Sequence, residues 1–323
     1  HPTADFSVSQ LQTCPGTAVT FSDLSTGNFP MTSWIWDFGD GSPLSFAQNP
    51  THTYTVGGTY TVSLVVSDGI NCRDTLTRNT YIQVYDPPVA AFNVTPSQDC
   101  IPMNVAFSDV STNGTASIVS WAWDFGDGGN SSVPNPSYSY ATAGTYTVTL
   151  TVTDANGCQS TTTSSVEALQ IPIVDFMADQ PLGCAPQGIT FSDLTVSPYV
   201  KTSYLWDFGD GTTSTSPGPF HQYNSDGVYT VKLIVEDQNG CRDSLTKNNY
   251  IRLSHPVSNF TWDATEVCPN VPVGVSFTDV SIPDTTIVAY VWDFGDGTTS
   301  TERNPSHSYS TPGNYSVSLR VIN

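Results

Sequence analysis

Trp36-Asp37-Phe38-Gly39-Asp40-Gly41 is written four times into this 323-residue chain, beginning again at Trp123, Trp206 and Trp292, at spacings of 87, 83 and 86 residues. Two further strings keep the same register. Phe-(Ser/Thr)-Asp starts at Phe21, Phe107, Phe191 and Phe277, and a Gly-x-Tyr start sets Tyr60, Tyr146, Tyr229 and Tyr315 two residues after Gly58, Gly144, Gly227 and Gly313. Three independent anchors in one register define four tandem copies, each a single structural unit repeated. Pro-containing junctions at Asp86-Pro87-Pro88, Ile171-Pro172 and His255-Pro256 place the boundaries at 1–86, 87–170, 171–254 and 255–323. Short Pro-rich linkers hold neighbours at nearly fixed separation, so the expected assembly is an elongated, semi-rigid rod.

Within a copy the periodicity is that of strands. Tyr60, Val62, Leu64 and Val66 alternate with mostly polar partners, and the pattern returns at Tyr146, Val148, Leu150 and Val152. Trp34, Trp36 and Phe38 share one strand face. No window carries a helical period. About seven short strands in ~85 residues, punctuated by Gly and Pro, predict an all-β fold of four immunoglobulin-sized β-sandwiches. The fourth copy stops at Val321-Ile322-Asn323, before the strand that ends the others, so it is expected to be incomplete and cut from a longer array. No charged-then-apolar leader precedes His1, which is expected to be a processed or trimmed end.

Composition agrees with this and narrows the function. The chain is 38% hydrophobic and only 12% charged, with 9 Lys+Arg against 29 Asp+Glu and a formal net charge of −20. That balance offers no basic footprint for nucleic acid or anionic lipid. No apolar run is long enough for a membrane helix. Twelve of the 29 acidic residues sit in the recurring motifs.

The carboxylates admit three readings. Paired acids serve general acid–base catalysis, and Asp-rich loops ligate calcium. Yet Asp-Gly is also a favoured turn dipeptide, in which the Asp side chain bonds its own backbone. A catalytic pair copied four times in one register is a poor description of an enzyme, so the motif residues Trp36, Asp37, Asp40, Trp123, Asp124, Asp127, Trp206, Asp207, Asp210, Trp292, Asp293 and Asp296 are assigned a structural role. Calcium is the one metal for which these Asp residues remain weak candidates. Trp36 and its equivalents are expected in the core, with Trp34 and Trp121 on the rim and Trp262 exposed, the three aromatics a glycan would stack on. Tyr60 and its equivalents suit a tyrosine corner. His52, His221 and His307 recur at one position where copy two has Tyr138, which argues for a packed ring and against a metal ligand. No nucleophile–base–acid set, zinc motif or phosphate loop is present.

Seven cysteines fall at 14, 72, 100, 158, 184, 241 and 268. Such regularity predicts disulfides and an oxidising compartment. Because each copy carries its own pair, the preferred pairing is Cys14–Cys72, Cys100–Cys158 and Cys184–Cys241, leaving Cys268 unpaired. Strand alternation, however, sets Cys14 and Cys72 at opposite poles of a sandwich, and a bridge needs Cα atoms within ~7 Å. The alternative is a staple between neighbouring copies, Cys14 to Cys158.

The Trp-Asp-Phe-Gly-Asp-Gly strings, with His52-Thr53-Tyr54 and Gly58-Thr59-Tyr60-Thr61-Val62, resemble polycystic kidney disease (PKD) domains over essentially the whole chain. The resemblance implies an immunoglobulin-like, non-catalytic extracellular module that serves as spacer or adhesion element. The cysteine variant resembles arrays in large surface proteins of Bacteroidetes-type bacteria exported by the type IX route. It implies a stalk segment of a cell-surface adhesin or extracellular filament. The alternative is a glycan-binding accessory region of a secreted hydrolase. Expected partners are neighbouring PKD domains of a longer chain, other protein copies or surface glycans. Asp74-Thr75-Leu76, Asp243-Ser244-Leu245 and Asp284-Thr285-Thr286 resemble that lineage's O-glycosylation triads, with Thr75, Ser244 and Thr285 as acceptors.

Overall fold

A computed structural model describes residues 1–263, 274–282 and 287–322. Among them every regular element is a strand, and the chain divides into two units, His1–Gln170 and Ile171–Asn323. Cys268 and Thr285 lie outside the described residues.

In the first unit, copy one comprises β1 (Phe6–Val8), β2 (Gln12–Thr13), β3 (Ala18–Asp23), β4 (Met31–Asp37), β5 (Thr51–Thr53), β6 (Gly58–Asp68) and β7 (Arg73–Val84). They form two sheets, β1-β3-β5 and β2-β7-β6-β4. Only the β2–β7 contact is parallel. The alternation read in the sequence is the burial pattern: Val62, Leu64 and Val66 are fully buried and pack with Val19, Phe21, Trp36 and Tyr54. β-branched and aromatic residues fill these half-buried pleated surfaces, and the two inward faces close one core.

Copy two repeats the plan with β8 (Phe92–Thr95), β9 (Gln98–Cys100), β10 (Met103–Asp109), β11 (Ile118–Asp124), β12 (Asn130–Ser131), β13 (Ser137–Tyr140), β14 (Gly144–Asp154) and β15 (Gln159–Leu169). Its sheets are β13-β10-β8 and β12-β11-β14-β15-β9. In the second unit, copy three has the same three-plus-five arrangement around Trp206, Phe191 and Leu233. Among the described residues, copy four shows two three-stranded sheets around Trp292, and its Val317 and Val321 are only partly buried.

Register explains the disulfide pattern. Thr13 pairs with Val84, and Val84 pairs with Gly58, so Cys14 sits at the Gly58 end of β6. Cys72 closes the turn after Asp68, at the other end of the same 11-residue strand, about 33 Å away at ~3.3 Å per residue. No side chain spans that gap. The bond that forms is Cys14–Cys158, with Cα atoms 5.4 Å apart and a sequence separation of 144. The expected within-copy pairing is therefore corrected. Cys72 is a free thiol, and Cys158 is already committed, so Cys100, itself disulfide-bonded, does not pair with it. In copy three Cys184 follows the Gly183–Leu253 pairing and Cys241 closes the turn at the far end of the strand Gly227–Asp237. Cys241 is disulfide-bonded, whereas the Cys184 thiol donates to the Ser254 carbonyl at 3.4 Å. The Cys184–Cys241 pairing is corrected on the same ground.

Candidate functional site

The carboxylates of the Asp-Phe-Gly-Asp-Gly strings recur in all four copies, and each is engaged in shaping a turn. Asp37 Oδ1 accepts from the Gly39 amide at 2.9 Å, and Asp40 Oδ1 from Ser42 at 3.0 Å. Asp124, Asp207 and Asp293 repeat the first contact with Gly126, Gly209 and Gly295. Asp127, Asp210 and Asp296 repeat the second with Gly129, Thr212 and Thr298. Gly39 has φ +78°, and a Cβ there would meet the Thr61 carbonyl, so two requirements fall on one residue.

The second oxygen of the later Asp is held by an aromatic ring. His52 Nε2 lies 2.7 Å from Asp40 Oδ2, and His221 and His307 lie 2.8 Å from Asp210 and Asp296. Each ring stacks on the motif Phe with centroids 4.1–4.2 Å apart. In copy two the Tyr138 hydroxyl reaches both oxygens of Asp127 at 3.0 Å, with its ring 4.0 Å from Phe125. A stacked ring with a polar tip is what the position needs, as the His-to-Tyr replacement implies. Burial pushes the Asp40 and Asp210 carboxyls up, but hydrogen bonds from Ser42 and His52, and from Thr212 and His221, outweigh it and hold both below the usual carboxylate value. For Asp296 the Thr298 and His307 hydrogen bonds bring the carboxyl down to about 2.

The motif tryptophans are core residues, with Trp36, Trp206 and Trp292 fully buried and Trp123 nearly so. Their indole N–H groups donate to the carbonyls of Ala47, Val133, Ser216 and Glu302 at 2.9–3.0 Å. The tyrosine corners form as read: the hydroxyls of Tyr60, Tyr146, Tyr229 and Tyr315 donate four residues back, to Val56, Thr142, Ser225 and Thr311.

The rim aromatics divide. Trp34 and Trp121 donate to Asp23 and Asp109 at 2.7 Å, and both are half-buried. Trp262 is 52% exposed and leans on Phe260. Sequence reasoning missed what replaces those indoles in the other copies. Asp193 is bound by Lys201, and Asp279 by Arg303 at 3.2 Å. Where Trp is lost, a cation from a different sequence offset takes over the donor role. Only the Trp34-to-Tyr204 and Tyr290 changes hint at this in the sequence.

Among the described residues no three His, Cys, Asp or Glu side chains are grouped to hold a metal. Thr75 and Ser244 are exposed and occupy the same register in copies one and three, opposite Val65 and Ile234.

Comparison with known proteins follows the same lines. Collagenase ColA of Bacillus cereus is 40% identical over 79 residues, 24% of this chain and 8% of the relative. A microbial collagenase of Vibrio alginolyticus is 47% identical over 66 residues, 20% of this chain and 8% of the relative. The chain thus spans under a tenth of the length of either. The solved PKD1 domain of Vibrio anguillarum Epp is 42% identical, covering 26% of this chain and 95% of that one, with a TM-score of 0.24. The model of the PKD domain family matches residues 1–84, 85–168, 170–253 and 254–323, and the chain belongs to that family.

Proposed function

We infer that this chain is a non-catalytic accessory region of a larger extracellular protein of the hydrolase kind, a run of spacer modules whose neighbours are covalently stapled. The observation that carries this is the Cys14–Cys158 bond, which joins the first sandwich to the second. A crosslink between two folded domains adds nothing to chemistry inside either, but it keeps a load from separating them. The recurring carboxylates support the same reading, since their oxygens are bound by turn amides and ring donors. Disulfides form and persist outside the cytosol, which supports an extracellular setting. A stalk segment of a surface adhesin or filament would use the same mechanical property, while the collagenase relatives favour the hydrolase setting. Thr75 and Ser244 are proposed O-glycosylation acceptors, tested by intact mass of protein from its native source.

Single-molecule pulling on the chain ends tests the reading. In the oxidised chain the 144 residues enclosed by the staple cannot extend. Measured in a Cys100→Ser background, which removes the other bond anchored inside that span, complete unfolding should therefore release about 500 Å less contour length than in the same chain with Cys14→Ser added, at ~3.5 Å per residue. Equal extension, or peptide-bond hydrolysis by this chain alone, would overturn it. A second reading, glycan binding, is favoured by one observation, the exposed Trp262 ring. Glycan retention abolished by Trp262→Ala would establish it, and no retention by the intact chain would remove it.

A further inference from the structure

We propose that the pole of copy one carrying Cys72 is a docking face for another cysteine-bearing copy of the same repeat, closed by a disulfide from Cys72 to that copy's equivalent of Cys14.

The turn that presents Cys72 recurs at Cys158 and at Cys241. At residues 68–72 the Asp68 carboxylate accepts from the amides of Ile70 and Cys72 at 3.1 and 3.0 Å, and the Asp68 amide donates to the Cys72 carbonyl at 3.0 Å. At residues 154–158 Asp154 accepts from Asn156 and Cys158 at 2.9 and 2.8 Å, and its amide donates to the Cys158 carbonyl at 3.0 Å. Asn71 and Gly157 both take positive φ, 65° and 82°. The two cysteines are thus presented by the same backbone, fixed by a buried Asp in each case.

Only their surroundings differ. Cys158 is 1% exposed and bonded to the preceding copy, while Cys72 is half-exposed and free. Two apolar side chains near it are open: Ile70 is 58% and Phe29 47% exposed, and Pro30 is tied to Gly69 through a 3.2 Å backbone hydrogen bond. In copy two the corresponding residues are Asn156 and Ala116. Exposed apolar side chains beside a preorganised free thiol fit a protein surface better than a small molecule. Cys158 shows which surface it is, the first loop of a preceding repeat. Docking cuts the entropic cost of closure because both thiols are already positioned.

Closure is thiol–disulfide exchange. One thiolate displaces a thiolate from a low-molecular-weight disulfide, giving a mixed disulfide, and the second protein thiolate displaces the other half. Two protein thiols become one disulfide as one small disulfide becomes two thiols.

Two extended chains test this: the full chain preceded by a second copy of residues 1–86, and the full chain preceded by a copy of residues 171–254. The second reproduces the natural Ser254-His255-Pro256 junction as Ser-His1-Pro2. Each is refolded with oxidised and reduced glutathione and digested without reduction. The expected result is a peptide joining the added copy's first-loop cysteine to Cys72, with Cys14–Cys158 retained. Alkylation of Cys72 by iodoacetamide should also fall at least about tenfold relative to the unextended chain. Recovery of the added cysteine on its own copy's second cysteine, or a Cys72 alkylation rate unchanged in both extended chains, would overturn the proposal. Absence of the Cys72 crosslink from both digests would do the same.

Discussion

Copies one and two carry the same motif at nearly every position, yet they complete it differently. In both, Asp37 and Asp40, or Asp124 and Asp127, find donors within their own turns. In both, the tryptophan of the motif is buried under the same Phe pair. The cysteines behave otherwise. Cys158 finds its partner only in copy one, and Cys72 has none. Turn and core chemistry is therefore closed within a repeat, whereas sulfur chemistry is closed between repeats. The first makes each copy a sandwich, and the second makes an array of them.

Breaking the shared part should have the largest effect. Trp36→Ala removes a fully buried ring and its hydrogen bond to Ala47, and is expected to cost about 3–5 kcal/mol. Trp34→Phe keeps the packing but leaves the Asp23 oxygen without its 2.7 Å donor, and should cost about 1–2 kcal/mol. Native-state hydrogen exchange of β6, read on its own peptides, separates copy one from the other copies. A Trp34→Phe loss as large as that of Trp36→Ala would mean that the rim, not the core, holds this sandwich.

The second prediction addresses the difference between copies. Cys14→Ser should cost about 2–4 kcal/mol in the joint stability of copies one and two. Cys72→Ser should change the stability of the chain by less than about 0.5 kcal/mol, since no bond is lost. Denaturant unfolding of oxidised protein measures both. Equal effects would erase the distinction between the two turns.

The core and the turns were legible because their physics is local. Alternation at Tyr60, Val62, Leu64 and Val66 states which face is inside, and Asp-Gly states where the chain turns. The disulfide was not legible from cysteine count, because spacings of 58, 58 and 57 repeat whether bonds lie within copies or between them. The decisive fact, an 11-residue strand separating Cys14 from Cys72, was present in the strand pattern and points away from the pairing that the count suggests. Lys201 and Arg303 were hidden for another reason. The carboxylate they bind recurs in register, but the donor arrives from whichever neighbouring segment can reach it, so periodicity carries no trace of it.

A smaller effect sharpens the comparison within β6 and β7. In copy one the pairing shifts between Tyr60 and Val62, and Thr80 sits at φ 47°; copy three has the same irregularity with Asn249 at φ 52°. Copy two pairs β14 and β15 without a shift. A β-branched residue is strained in the left-handed region, while Asn tolerates it. Thr80→Asn, which copies the third repeat, should stabilise copy one by about 0.5–1 kcal/mol in the same exchange experiment. A loss of stability would show that the Thr80 side chain does something that Asn cannot.

The smallest expected effect concerns the ring over the motif carboxylate, His in copy four and Tyr in copy two. Donors from Thr298 and His307 favour ionised Asp296, so its folded value, about 2, lies below the ordinary ~3.9 of an unfolded chain. The sign follows from proton linkage. The unfolded chain binds the proton first as pH falls, so the stabilisation is complete above about pH 4 and is lost on descent toward pH 2. At neutral pH the contribution is flat. Carbon-detected NMR titration of the Asp296 carboxyl should give a midpoint near 2. His307→Phe keeps the stacked ring on Phe294 but removes the polar tip, and should move the midpoint upward while Thr298 keeps it below the ordinary value. His307→Tyr restores the arrangement of Tyr138 on Asp127 and should move it less. If Phe and Tyr shift the midpoint equally, the polar tip contributes nothing there, and stacking alone explains why the position accepts both His and Tyr.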